Sequence, residues 1–170
     1  MEDFHVLVER HHRAVFRLAY RMTGNRQDAE DVVQEAFLRA HKQLSKFDQR
    51  SAFSTWLHRI AANCAIDLLR VRRKREAVHV AQGNDEISVS GEPSPERLTG
   101  SGEIRRMLEP ALAELSDMER AAFVMRHYEG LSIEDIGAVL GVQPNAAKHS
   151  VFRAVQKLRR ALAPAMGVAR

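Results

Sequence analysis

Cys64 is the chain's one cysteine, so no internal disulfide can form and no cysteine-rich zinc site can be assembled. Its expected role is that of a small buried hydrophobe. No apolar run approaches the ~20 residues that cross a bilayer. The opening Met1-Glu2-Asp3 has none of the basic character of a signal peptide. These absences predict a soluble, cytoplasmic protein with no membrane insertion. The eight histidines are scattered, and His11 and His12 are adjacent rather than one helical turn apart, as ligands sharing a helix face would be. No phosphate-binding glycine loop, nucleophile elbow or paired-carboxylate motif stands out. The expectation is no metal, no cofactor and no catalysis. Strand signals are almost absent as well, which points to an all-α fold.

Positive charge is present but unevenly spread. The 170 residues carry a net charge of +4, which is modest for a sequence pI near 9.6. From Leu57 to Arg75 six Lys or Arg stand against Asp67 alone, and from Gln143 to Arg170 another six face no acid at all. Between them, Glu76 to Gly102 holds five acids against Arg97. Two basic modules flanking an acidic stretch create local fields that attract phosphates, which a uniform mixture would not.

Helical periodicity organises the modules. Phe4, Leu7, Val8, His11, Val15, Leu18, Ala19 and Met22 recur at helical spacing, and Gly24 ends the run. Asn25 is placed to cap a second helix, with Val32, Val33, Ala36, Phe37 and Ala40 on its buried face. After a break at Ser45 to Ser51, the segment from Phe53 into Arg75 is a third helix, long and without internal Gly or Pro. Residues 76–102, with four Gly, two Pro and four Ser, read as a linker. Helical character resumes at Glu103, with Pro110 expected to kink or restart it, and Ser116 to Glu119 forms a capping box. The predicted architecture is two small helical domains, 1–75 and 103–170, joined by a flexible acidic linker.

The last module holds the most informative pattern. Ser132 is a plausible N-cap, Ile136, Val139 and Leu140 give an apolar face, and Gly141 supplies a positive-φ stop. Pro144 and Asn145 reopen the chain into a helix with Ala147, Val151, Ala154, Val155 and Leu158 on one side. Lys148, His149, Arg153, Gln156, Lys157 and Arg160 largely occupy the other. This is a helix-turn-helix with a basic second helix, the arrangement that places a helix in a DNA major groove.

Residues 28–70, DAEDVVQEAFLRAHKQLSKFDQRSAFSTWLHRIAANCAIDLLR, resemble region 2 of a bacterial sigma factor. LAELSDMERAAFVMRHYEGLSIEDIGAVLGV with the later FRAVQKLRR resembles region 4. Two motifs in this order, with no room for further regions, are similar to the compact extracytoplasmic-function type. The resemblance implies that Asp31, Gln34, Glu35 and Leu38, at i, i+3, i+4 and i+7, dock on the β′ coiled coil of core RNA polymerase. A carboxylate and amide stripe suits Arg-rich helices. It further implies that Phe47, Ser51, Ala52 and Phe53 surround a pocket for a base flipped out of the −10 element, that Asn63 helps read that element, and that Arg59, Arg70, Arg72 and Arg73 follow the backbone. Trp56, on the apolar period, reads as core. For the −35 element the implied contacts are Lys148, Phe152 and Arg153, with His149 and Lys157 beside them. The usual Gly-Thr-Val opening is replaced here by Asn145-Ala146-Ala147, so the resemblance implies the helix but not the −35 sequence that it reads.

The implied function is promoter-specific initiation with core polymerase, contacting its β′ and β subunits and promoter DNA, under the control of an anti-sigma factor. A stand-alone helix-turn-helix regulator would leave residues 28–75 without a role, and a sigma mimic would have no use for both basic surfaces.

Overall fold

The computed structural model describes residues 2–81, 102–164 and 167. Among these residues the regular structure is helical, and the chain divides into two compact units, Met1–Glu92 and Pro93–Arg170.

The first unit is a three-helix assembly of α1 (Phe4–Thr23), α2 (Arg26–Gln43) and α3 (Phe53–Ala81). Asp3 opens α1 by accepting the His5 amide at 3.3 Å, and Gly24 closes it at φ 69°, where only glycine is unstrained. The reversal into α2 is immediate because the Asn25 side chain accepts the Asp28 amide at 3.0 Å. A single 3-10 turn, Leu44–Lys46, leads out of α2. Leu18, Met22, Val32 and Leu57 are fully buried, each contributing about 1.5–3 kcal/mol by its removal from water. Ala29, Ala36, Ala40, Ala61 and Ala65 are completely enclosed, and their small size lets the helices approach closely. Cys64 is buried among them as expected, and burial pushes its thiol up to about 11, which leaves it unreactive.

The second unit contains α4 (Gly102–Ala113), α5 (Asp117–His127), α6 (Ile133–Leu140) and α7 (Pro144–Leu162). α7 is the central element, packing on each of the other three. Ala111, Leu112 and Leu115 meet Ala154 and Leu158 in one apolar cluster. Ser116 and Glu119 form the capping box expected of them, and Ser132 caps α6 by accepting the Asp135 amide at 3.1 Å. Pro144 is the first residue of α7, where a missing N–H costs nothing.

Two boundaries differ from the sequence reading. α3 continues to Ala81, six residues past the expected end of the first domain at 75. Glu76 to Ala81 contain no glycine or proline, and Arg72 pairs with Glu76 one turn on at 3.6 Å, so nothing stops the helix before Gly83. The rest of the expected linker, 82–101, lies outside the described residues. Pro110 does not interrupt α4. Ala111 and Leu112, the next two residues, are buried against α7, and that packing holds the final turn in place.

Candidate nucleic-acid interface

The turn from the 3-10 segment into α3 gathers aromatic rings. Phe47 lies 5.7 Å from Phe53 and 5.1 Å from Trp56, and Phe53 lies 5.5 Å from Trp56. His11, from α1, approaches Phe53 at 5.4 Å. All four are half-buried, so the cluster is open on one side; Ser51 is partly covered and Ala52 exposed at its rim. Gln49 adopts φ 59° in the same turn, the one non-glycine residue with positive φ among those described. Burial, then the nearby His58 and Arg10, hold the His11 imidazole below its ordinary pKa, so at neutral pH it meets the rings uncharged. Asn63 is exposed, seven residues beyond Trp56 and hence on the same side of α3. Arg70 follows at the same spacing.

On α2, Asp31, Gln34, Glu35 and Leu38 are all exposed, and Leu38 is 51% exposed despite its apolar side chain. Gln34 and Leu38 border a cleft of about 480 Å³ between α1 and α2, floored by Phe4, Val8, Phe16 and Phe37. Glu35 accepts Arg39 Nε at 2.7 Å, and Arg39 reaches across to Asp67 of α3 at 3.0 Å. These two carboxylates hold the Arg39 guanidinium above its already high pKa. Arg72 of α3 is similarly bound to Asp28 in the first turn of α2. Arg72, expected to follow a DNA backbone, thus spends part of its capacity joining two helices.

In the second unit the turn between α6 and α7 is fixed by backbone geometry. Gly141 takes φ 69°, and a Cβ at Gly137 would lie 2.9 Å from the Val142 carbonyl oxygen. Only a residue without a side chain permits that approach. Lys148, His149, Phe152 and Arg153 are exposed on α7, with Phe152 at 60%. An apolar ring so presented keeps most of its surface in solvent. Lys157 differs: its ammonium donates to Glu119 at 2.8 Å.

Residues 7–75 match the Sigma-70 region 2 family, and residues 105–158 match Sigma-70 region 4. The chain is 32% identical to the ECF RNA polymerase sigma factor SigW of Bacillus subtilis over 95% of its own length and 89% of that protein's. The chain belongs to the ECF RNA polymerase sigma factors. It is also 37% identical to SigE of Mycolicibacterium smegmatis, over 96% of this sigma factor but only 63% of the relative's length. Among solved structures, CnrH in complex with the cytosolic domain of CnrY aligns with a TM-score of 0.57 and 28% identity, covering 95% of this chain and 88% of that one. The fold is shared with the Bartonella quintana sigma factor RpoE, solved with the anti-sigma factor NepR, at a TM-score of 0.70 and 24% identity, over 96% and 98% of the two chains.

This sigma factor therefore brings Phe47 and Phe53 together, as expected, and adds Trp56 and His11, which the sequence reading left out. Trp56 was assigned to the core because it lies on the apolar period; the half-open turn beside it has no signature in periodicity. Arg39, Asp67 and Glu119 were also missed. Their partners lie 28 or 38 residues away, and only helix packing makes them neighbours. Among the described residues no cluster of His, Cys, Asp or Glu could hold a metal ion, and no helix is long and apolar enough to cross a membrane.

Proposed function

We propose that this sigma factor acts in the cytoplasm, directing core RNA polymerase to promoters through two surfaces with different tasks. Asp31, Gln34, Glu35 and Leu38 dock on the β′ coiled coil. The cup of Phe47, Phe53 and Trp56, with Ser51 and Ala52 at its rim, receives a base extruded from the −10 element. Extrusion costs a few kcal/mol of unstacking, which stacking on aromatic rings offsets. Asn63 reads a base edge with the donor and acceptor of its amide, while Arg59, Arg70 and Arg73 follow the phosphates. Lys148, His149, Phe152 and Arg153 meet the −35 duplex. The division of labour falls at Ala81 and Gly102, with the segment between serving as the tether. An anti-sigma factor controls access to these surfaces.

The observation that carries the reading is the open aromatic cluster with exposed Asn63 two turns further along the same helix. A pooled promoter library transcribed by core polymerase, with and without the protein, tests it. Specific starts downstream of one shared two-part element are expected. With Asn63→Ala the preferred −10 sequence should change while the −35 preference stays; identical selection profiles for variant and wild type would refute the assignment of Asn63.

A further inference from the structure

The cations of α7 do not share one line: Lys157 lies about 40° round the helix from Arg153 but far round it from Lys148. Lys157 follows Lys148 by nine residues, which at about 100° per residue turns it about 180° away from Lys148. It sits at the margin of the buried side formed by Ala147, Ala154 and Leu158. Its partner, Glu119, is the one buried charged residue among those described, 7% exposed. The Glu119 carboxylate oxygen that accepts Lys157 at 2.8 Å also accepts the Ser116 amide at 3.1 Å, and the Glu119 amide returns a bond of 3.1 Å to Ser116 Oγ. A single carboxylate thus ties the capped start of α5 to the fourth turn of α7.

The tie adds a polar, directional constraint to the apolar packing of Leu158 against Leu112 and Leu115. Ala147 and Ala154 set how closely α7 approaches its neighbours, but an alanine has no side chain long enough to index rotation about the helix axis. A hydrogen-bonded ion pair at the margin of the interface does supply such a constraint. We propose that Lys157 is a positioning residue rather than a DNA contact: through Glu119 it sets the rotation of α7, and hence which side chains of its first turns face the −35 duplex. The proposal rests on the reading of α7 as the −35 helix. Burial disfavours the charged form of Glu119, but the Lys157 bond, the Ser116 amide and the charges of Lys157 and Arg153 outweigh it and hold the carboxyl below its usual pKa. The Glu119 carboxyl is therefore ionised at neutral pH.

The test uses core polymerase loaded with the full chain, binding promoter duplexes randomised at −35, across a series of salt concentrations. Lys157→Met and Glu119→Gln should each flatten the −35 preference by about two- to tenfold at the same positions. The double variant should go no further, and Lys157→Arg should restore the preference. The slope of log affinity against log salt should stay at the wild-type value throughout, because no phosphate contact is lost. Glu119→Gln keeps an acceptor for the Ser116 amide, and thermal melts establish that every variant is folded. If Lys157→Met lowers the slope by about 1 with the preference intact, Lys157 is a phosphate contact and the proposal fails. It fails equally if Glu119→Gln leaves the preference unchanged. Lys148→Ala and Arg153→Ala serve as controls; should neither alter slope or preference, the −35 reading itself is wrong and the proposal falls with it.

Discussion

The two units present functional side chains in different ways. In the first, charged residues at and beside the surface are joined across helices: Glu35 to Arg39 to Asp67, and Asp28 to Arg72 to Glu76. In the second, Lys148, His149, Phe152 and Arg153 stand exposed on one helix, and the precision lies underneath, in a glycine-dependent turn and the Glu119–Lys157 pair. The difference fits the two targets. On the proposed function, an extruded base needs rings held in place, and Phe47, Phe53 and Trp56 are fixed by their contacts with one another. A duplex offers a regular groove and a line of phosphates, so the helix must be posed accurately while its side chains can adapt.

The largest effect should come from breaking the pose in the second unit. Gly137→Val drives a Cβ into the Val142 carbonyl and should destabilise that unit by about 1–3 kcal/mol. Trp56, the single tryptophan, lies in the first unit, so its fluorescence should be unmoved while the helical signal in circular dichroism melts earlier. Next, Arg153→Ala should cost about 1–3 kcal/mol at one −35 base pair if the guanidinium reads a base, or weaken all sequences evenly if it binds phosphate. Competition binding over single-base −35 variants separates the two.

In the first unit, Glu35→Arg should weaken binding to core polymerase by about tenfold, near 1.4 kcal/mol, with the fold retained. Titration of labelled protein into core polymerase checks this; unaltered affinity in a folded variant would remove Glu35 from the docking surface. Smallest is the pH effect at Glu119. Its carboxyl is held below the ordinary value, so its contribution is complete above the unfolded glutamate pKa of about 4.3 and is lost as pH falls through the lower folded value. Wild type should exceed Glu119→Gln by about 0.5–1.5 kcal/mol at pH 7, and the gap should close towards pH 3 in denaturant titrations.

Local rules were enough to place most of the helices. Gly24 and Gly141 as positive-φ stops, Asn25 and Ser132 as caps, and the Ser116–Glu119 box are all contacts within four residues, and each is present. The helical turn over 76–81 is not legible from composition, which changes at 76 although the segment holds no glycine or proline. The candidate sites were legible to a different depth. Exposure of Asp31, Gln34, Glu35 and Leu38 followed from spacing alone, since Val32 and Ala36 had to face inward. Lys157 could not be told from Lys148 by composition: both are lysines on a basic helix. What separates them is a carboxylate 38 residues earlier, brought alongside by the packing of α5 on α7.

The first unit draws its core from α1, α2 and α3 alone. Small helical units of this kind form in microseconds to milliseconds, whereas a ribosome adds about 5–20 residues per second. On the proposed division of tasks, the unit that would read opened DNA is thus finished while the chain that would read the duplex is still being made. A nascent protein released early from translation would then carry the proposed polymerase-docking face and no means of choosing a −35 site.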